Sequence, residues 1–144
     1  MALTIQIMYH DDELVHIEKI AQGDWIDLRA AERVELKTGD FRLISLGVSM
    51  KLPAGFEAHI APRSSTFKKW GILQVNSVGV VDESYCGADD IWRMPVFATR
   101  DTVIEKNDRI CQFRIFEKMP QVCLETVERL SGENRGGFGS TGIK

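Results

Sequence analysis

Apolar residues recur along this chain in short bursts rich in Val, Ile, Phe and Thr, separated by residues that favour turns. The bursts are Leu3–Met8, Val15–Ile20, Trp25–Ala30, Phe41–Leu46, Phe56–Ala61, Ile72–Val75, Pro95–Thr99, Ile110–Phe116 and Val122–Val127. Runs of this length and composition predict strands. In one of them Phe56, Ala58 and Ile60 alternate with Glu57, His59 and Ala61, the period of a half-buried strand. Lys37-Thr-Gly-Asp40, Leu52-Pro-Ala-Gly55 and Lys106-Asn-Asp108 stand between bursts and suit turns or hairpins. No long stretch keeps a helical period, and the helix candidate is a short one, Ser64–Trp70, behind Pro62.

An all-β chain has to hide its strand edges, by closing into a barrel or by stacking two sheets, so a jelly-roll-like β-sandwich is expected. The 144 residues suit one domain, read as residues 1–130, with residues 131–144 as a flexible lid segment of it. That last part, Ser131 to Gly142, holds five glycines and little apolar anchor, so its ordering entropy is offset only when something binds it.

Composition narrows the partners. With 44% hydrophobic and 27% charged residues the chain reads as soluble and globular, and a net charge of −3 argues against a nucleic-acid polymer as partner. The start of the chain lacks a basic region before an apolar core, and the longest uncharged run, Trp70–Val81, is too short to span a bilayer. A cytoplasmic location without membrane association is the expectation. Cys86, Cys111 and Cys123 are odd in number and lack metal-ligand spacing, which predicts reduced thiols.

Five segments could carry chemistry. In Ala61-Pro-Arg-Ser-Ser-Thr66, Arg63, Ser64 and Ser65 could hold phosphate oxygens, although a Pro-started turn with a Ser cap looks the same. Asn76-Ser-Val-Gly-Val-Val-Asp-Glu-Ser-Tyr85 reads as a strand, a turn and a return strand; its backbone could read a base, Asp82 could orient a water and Tyr85 could pack on a sugar. Asp27, within Gly23–Leu28, could hold Mg²⁺ through water. In Asn107–Gln112, Gln112 could donate to phosphate while Asp108 and Arg109 pair structurally. The tail could close over a ligand, with Phe138 on a base and amides and hydroxyls on phosphates. Each of the first four alone is most simply a turn, a cap or a solvated face, and the tail alone is as readily plain disorder; together they supply a base platform, a sugar neighbour, phosphate donors, a metal carboxylate and a lid.

As an ordered set these segments resemble the five motifs of the trimeric dUTPase family, from about residue 23 to residue 142. Pro62-Arg-Ser-Ser65 with Gly71-Ile72 resembles the second motif, and Asn76-x-x-Gly79-x-Val81-Asp82-x-x-Tyr85-x-Gly87 the third. Asp108–Gln112 resembles the fourth and Gly136–Gly142 the fifth. The resemblance implies an all-β, distorted jelly-roll of the β-clip type, a homotrimer with sites at subunit interfaces, and Mg²⁺-assisted hydrolysis of dUTP to dUMP and pyrophosphate. It implies that Asp82 activates the attacking water, with Arg63 and Gln112 in the catalytic set. Ser64, Ser65, Asn76, Gly79, Val81, Tyr85, Arg135, Phe138, Gly139 and Ser140 would bind substrate, and Asp27 would hold hydrated Mg²⁺. Two departures stand out: Trp25-Ile26 precede Asp27 where the family has small residues, and Glu133-Asn-Arg135 displace the fifth motif's arginine. The arginine for the terminal phosphate is therefore Arg135 or another, such as Arg93. A dCTP deaminase-like enzyme of the same fold, a nucleotide-responsive module with a regulatory protein partner, and a ligand-free sandwich are the rival readings.

Overall fold

The computed structural model describes residues 2–144, and its regular structure is almost wholly strands. In chain order these are β1 (Gln6–Tyr9), β2 (Ile26–Arg29), β3 (Val34–Leu36), β4 (Phe41–Ser45), β5 (Val48–Lys51), β6 (Phe56–Pro62), the helix α1 (Thr66–Trp70), β7 (Ile72–Gln74), β8 (Gly79–Val81), β9 (Arg93–Ala98), β10 (Thr102–Ile104) and β11 (Arg109–Glu117). A four-stranded sheet runs β2-β11-β6-β8 and a three-stranded sheet β4-β9-β7; β1-β5 and β10-β3 form two-stranded pairs, and every pairing is antiparallel. The expected all-β sandwich is the observed fold.

Alternation explains what each sheet buries. On β6 Ala58 and Ile60 face inward, on β9 Met94, Val96 and Ala98, and on β3 Val34 and Leu36. With Leu28, Ile44, Trp92, Ile110 and Phe113 they form one continuous core, in which Trp92 meets Phe113 edge-on at 5.1 Å. The outer face of the three-stranded sheet is also apolar. Phe41, Phe97 and Leu73 lie side by side across its strands, with Leu43, Pro95 and Val75 in the next row, and all but Pro95 are well exposed.

Four outcomes differ from the expectations. Val15–Ile20 is not a strand: its amides at Val15 and Ile17 bond the Asn107 side chain and the Tyr9 hydroxyl instead of a neighbouring backbone. Leu14 plugs the core just before it, against Gly47, whose φ of +67° and contacts with Leu14 and Ala31 leave no room for a side chain. Val122–Val127 finds no strand partner and leaves Leu124 94% exposed. The strands β3, β5 and β10 are three or four residues long and gave no separate apolar burst. Finally, the strand, turn and return strand around residue 76 do not pair with each other. β7 joins β9, and β8 joins β6, so the turn carries the chain from one sheet to the other.

No helix among the described residues is long and apolar enough to cross a membrane.

Candidate active site

Two cavities collect the candidate side chains. The first, about 410 Å³, is lined by Asp27, Arg29, Arg63, Ser64, Arg109 and Gln112 together with residues of the His16–Trp25 segment. Strand register explains the meeting. On the antiparallel pair β2-β11, Asp27 stands opposite Gln112 and Arg29 opposite Arg109, while Gln112 is also opposite Ala61 on β6, one residue before the Pro62-Arg63-Ser64 turn.

A β-bulge aims these groups. Between Arg109 and Cys111 the register slips by one residue, so Ile110 and Cys111 are both buried and Arg109 turns outward. The bulge leaves the Ile110 carbonyl outside the ladder, where the buried Thr66 hydroxyl donates to it at 2.9 Å. The same Thr66 oxygen accepts from the Arg63 N–H at 2.8 Å. One hydroxyl thus ties the arginine turn to β11. The helix behind it spans five residues rather than the expected Ser64–Trp70, and Ser65 makes no side-chain cap bond. Ser64 lines the cavity; Ser65 is half-buried outside it.

Asp27 sits between two guanidiniums, with Arg63 Nε 3.1 Å from one carboxylate oxygen and Arg109 Nη1 3.2 Å from the other. The expected pairing of Asp108 with Arg109 does not occur. Asp108 instead accepts the Glu105 N–H at 2.8 Å, closing the turn into β11, and Arg109 turns to Asp27. No cluster of three or more His, Cys, Asp or Glu side chains able to hold a metal exists among the described residues. A single carboxylate beside phosphate donors fits a hydrated Mg²⁺ carried on a polyphosphate, which keeps most of its waters, and does not fit an all-protein cage.

The second cavity, about 380 Å³, is lined by Asn76, Gly79, Val80, Val81, Asp82, Ser84, Tyr85 and Arg93, with Ile60, Ile91 and the buried Trp92. Gly79 lets β8 pass close to β6: a Cβ there would stand 3.2 Å from the Ile60 Cβ, a tight contact, and 3.5 Å from the Asn76 amide nitrogen, an ordinary one. β8 is an edge of its sheet, so one side of its backbone is free for a ligand. Tyr85 is steadied by its hydroxyl, which donates to the Ile91 carbonyl at 3.1 Å. Asp82 accepts hydrogen bonds from the Ser84 hydroxyl and, at 2.8 Å, from the Ser84 N–H. These two bonds, the hydroxyl's first, hold the Asp82 carboxyl below the usual carboxylate range. Next to it Glu83 accepts from Lys118 at 2.9 Å and from the Gly55 N–H at 3.1 Å, which fixes the loop.

The two cavities share no lining residue. Arg135, Gly139 and Ser140 are exposed, and Phe138 makes no packing contact at all. The structure therefore groups Asp27, Arg63, Ser64 and Gln112 in one place, Asn76, Gly79, Val81, Asp82 and Tyr85 in another, and leaves the tail apart from both. Sequence reading missed Ser84, Arg29, Arg109 as a partner of Asp27, and His16. Ser84 had a visible signal, since Asp-x-Ser is a common Asx-turn pattern; the others are joined only by folding.

The dUTPase family model matches residues 24–142. A deoxyuridine 5'-triphosphate nucleotidohydrolase derived from the SPbeta prophage of Bacillus subtilis is 57% identical over 142 residues, covering 99% of this chain and all of the relative. A point variant of the dUTPase of Staphylococcus bacteriophage 80alpha, solved with dUpNHpp, superposes with a TM-score of 0.79 at 20% identity, over 97% of this chain and 99% of that one. A variant of the dUTPase of phage phi11 of S. aureus, described as coordinating a structural Mg(II) ion, superposes at 0.76 and 16% identity over 90% and 99% of the two chains. With a family match over most of its length and a relative more than half identical from end to end, this chain belongs to the dUTPase family.

Proposed function

We propose that this dUTPase splits dUTP into dUMP and pyrophosphate by attack of an Asp82-oriented water on the α-phosphorus, at a site completed between copies of the chain. The division of the candidate residues between two cavities that share no lining residue carries this reading. The nucleoside half of one copy would face the phosphate half of another. The family is trimeric, and the exposed apolar face around Phe41, Leu73 and Phe97 is of a kind that copies of a chain bury against one another.

In the nucleoside half, the free edge of β8 at Gly79–Val81 and the Asn76 amide would read uracil, and Tyr85 would lie under the deoxyribose where a 2′-hydroxyl would collide with it. In the phosphate half, Ser64 and Gln112 would donate to the phosphate chain. Arg63, held by Asp27, would supply fixed positive charge. Asp82, kept ionised by Ser84, accepts a hydrogen bond from the water and aims its lone pair at phosphorus. As the water oxygen bonds to the α-phosphorus, the bond to the bridging oxygen of the pyrophosphate breaks, and the water's proton passes to Asp82 and on to solvent. A carboxyl with a lowered pKa is a weak base, so Asp82 works chiefly by placing the water and by its charge. Mg²⁺ on the triphosphate, with Asp27 as its water-mediated neighbour, would supply charge neutralisation for the leaving pyrophosphate. Phe138, Gly139 and Ser140, with Arg135, would close over the bound nucleotide and exclude bulk water.

Subunit mixing tests the shared site. Asp82→Ala and Ser64→Ala chains, each inactive alone, are unfolded together and reassembled; random mixing restores intact pairings at about a quarter of the sites. Pyrophosphate release from dUTP should reappear in the mixture, and a mixture as inactive as its parents would place both halves of the site in one chain.

A further inference from the structure

The segment His16–Gly23 precedes the part of the chain matched by the family model, yet it supplies much of the wall of the phosphate cavity. His16 is its preorganised member. The amide before it and the amide after it are both anchored: Val15 N–H donates to the Asn107 side chain and Ile17 N–H to the Tyr9 hydroxyl, each at 2.8 Å. Asn107 also donates to the Glu13 carbonyl at 3.0 Å, and Lys106 pairs with Asp11, so the segment is pinned to the turn leading into β11. The imidazole lies flat on the Tyr9 ring, with centroids 4.0 Å apart and planes within 8°. Neither ring nitrogen has a hydrogen-bond partner among the described residues.

His16 is exposed, so both ring nitrogens are open to a ligand entering a cavity that also presents three arginines. The donors form a row. Asp27, paired with Arg63, and Gln112 face each other on one rung of the β2-β11 ladder, and Arg29 and Arg109 face each other two residues further along β2. The Arg29 guanidinium donates to the Asn107 carbonyl at 2.8 Å, and His16 follows Val15, whose N–H is anchored on the Asn107 side chain. We propose that His16 is a substrate-binding residue that donates an imidazole N–H to the terminal phosphate of the nucleotide, at the end of the row opposite Gln112. This rests on the phosphate half of the site assigned above. Glu18, Asp24 and Asp27 also line the cavity, so the added donor acts in a pocket of mixed charge in which a directed N–H distinguishes positions that net charge does not.

The test compares dUTP with dUDP on the full chain. His16→Ala should raise KM for dUTP about tenfold with kcat little changed, and competitive inhibition by dUDP, which lacks the terminal phosphate, should stay within about twofold of wild type. His16→Gln, which keeps an N–H donor, should recover part of the loss. Tyr9→Phe frees the Ile17 amide while keeping the ring stack, and should raise KM for dUTP in the same direction. An unchanged KM for dUTP in His16→Ala, or an equal loss for dUTP and dUDP, would overturn the assignment. Pyrophosphate release by the wild-type chain in the same experiment separates the two readings: its absence would count against the proposed reaction, whereas normal wild-type turnover with an indifferent His16 variant counts against this inference alone.

Discussion

Replacing Thr66 by Val should destabilise the protein and disable it at the same time, although the residue touches no substrate. Valine fills the same volume as threonine, so no cavity forms. What disappears is one hydroxyl that accepts from the Arg63 N–H and donates to the Ile110 carbonyl. Thr66 and the Ile110 carbonyl it bonds are buried, and the Arg63 N–H is partly so, so water replaces the lost hydroxyl poorly. An unsatisfied buried backbone group costs about 1–3 kcal/mol; the Ile110 carbonyl carries that cost in full and the part-buried Arg63 N–H less, which puts the pair at roughly 2–4 kcal/mol. A globular domain has about 5–15 kcal/mol of stability in all, so this is a large fraction. Thr66→Ser is the control: it keeps the hydroxyl and loses one methyl, about 1 kcal/mol. Urea unfolding of the two variants reads the difference, and kcat/KM for dUTP reads the displacement of the Arg63–Ser64 turn. If Thr66→Val unfolds within about 0.5 kcal/mol of Thr66→Ser and keeps wild-type kcat/KM, the hydroxyl does not hold the site together.

Other substitutions probe other joints. Ser84→Ala removes the hydroxyl bond that contributes most to lowering the Asp82 carboxyl; its pKa rises, and because the carboxylate is the active form, the acid limb of the pH–rate profile should move to higher pH. An acid limb that stays in place would mean that a different group sets it. Gly79→Ala should raise KM for dUTP, since the new methyl stands tight against the Ile60 Cβ and shifts the strand that lines the nucleoside cavity; an unaltered KM would remove β8 from base recognition. Deleting residues 131–144 should cut turnover while leaving the unfolding transition nearly intact, as these residues are exposed throughout; a truncated chain with full activity would exclude the lid.

The sheet strands with two-residue alternation were legible because half-burial writes itself into sequence: β6, β9 and β11 fall within one or two residues of the apolar bursts. Val15–Ile20 misled because its composition suits a strand while its amides are satisfied by side chains from distant parts of the chain, Tyr9 and Asn107. The turn at residues 75–78 was legible as a turn, but nothing local shows that β7 and β8 belong to different sheets. The chemical residues were legible as types and as motifs. Their separation into two cavities was not, because it depends on which strands pair, and the Asp27–Arg63–Arg109 cluster joins three segments far apart in sequence. The slip at Ile110 shows the same limit: two consecutive buried residues in β11 mark the bulge only once the neighbouring strands are known.

In the proposed reaction Asp82 aims a water at the α-phosphorus of dUTP. The direct measurement is pyrophosphate release by the purified chain with Mg²⁺, from dUTP, dTTP, dCTP and UTP in parallel, repeated with Asp82→Asn. Rapid release from dUTP, little from the other three, and near-complete loss in Asp82→Asn with dUTP binding largely kept are expected. Undiminished turnover of dUTP by Asp82→Asn would contradict this role of Asp82.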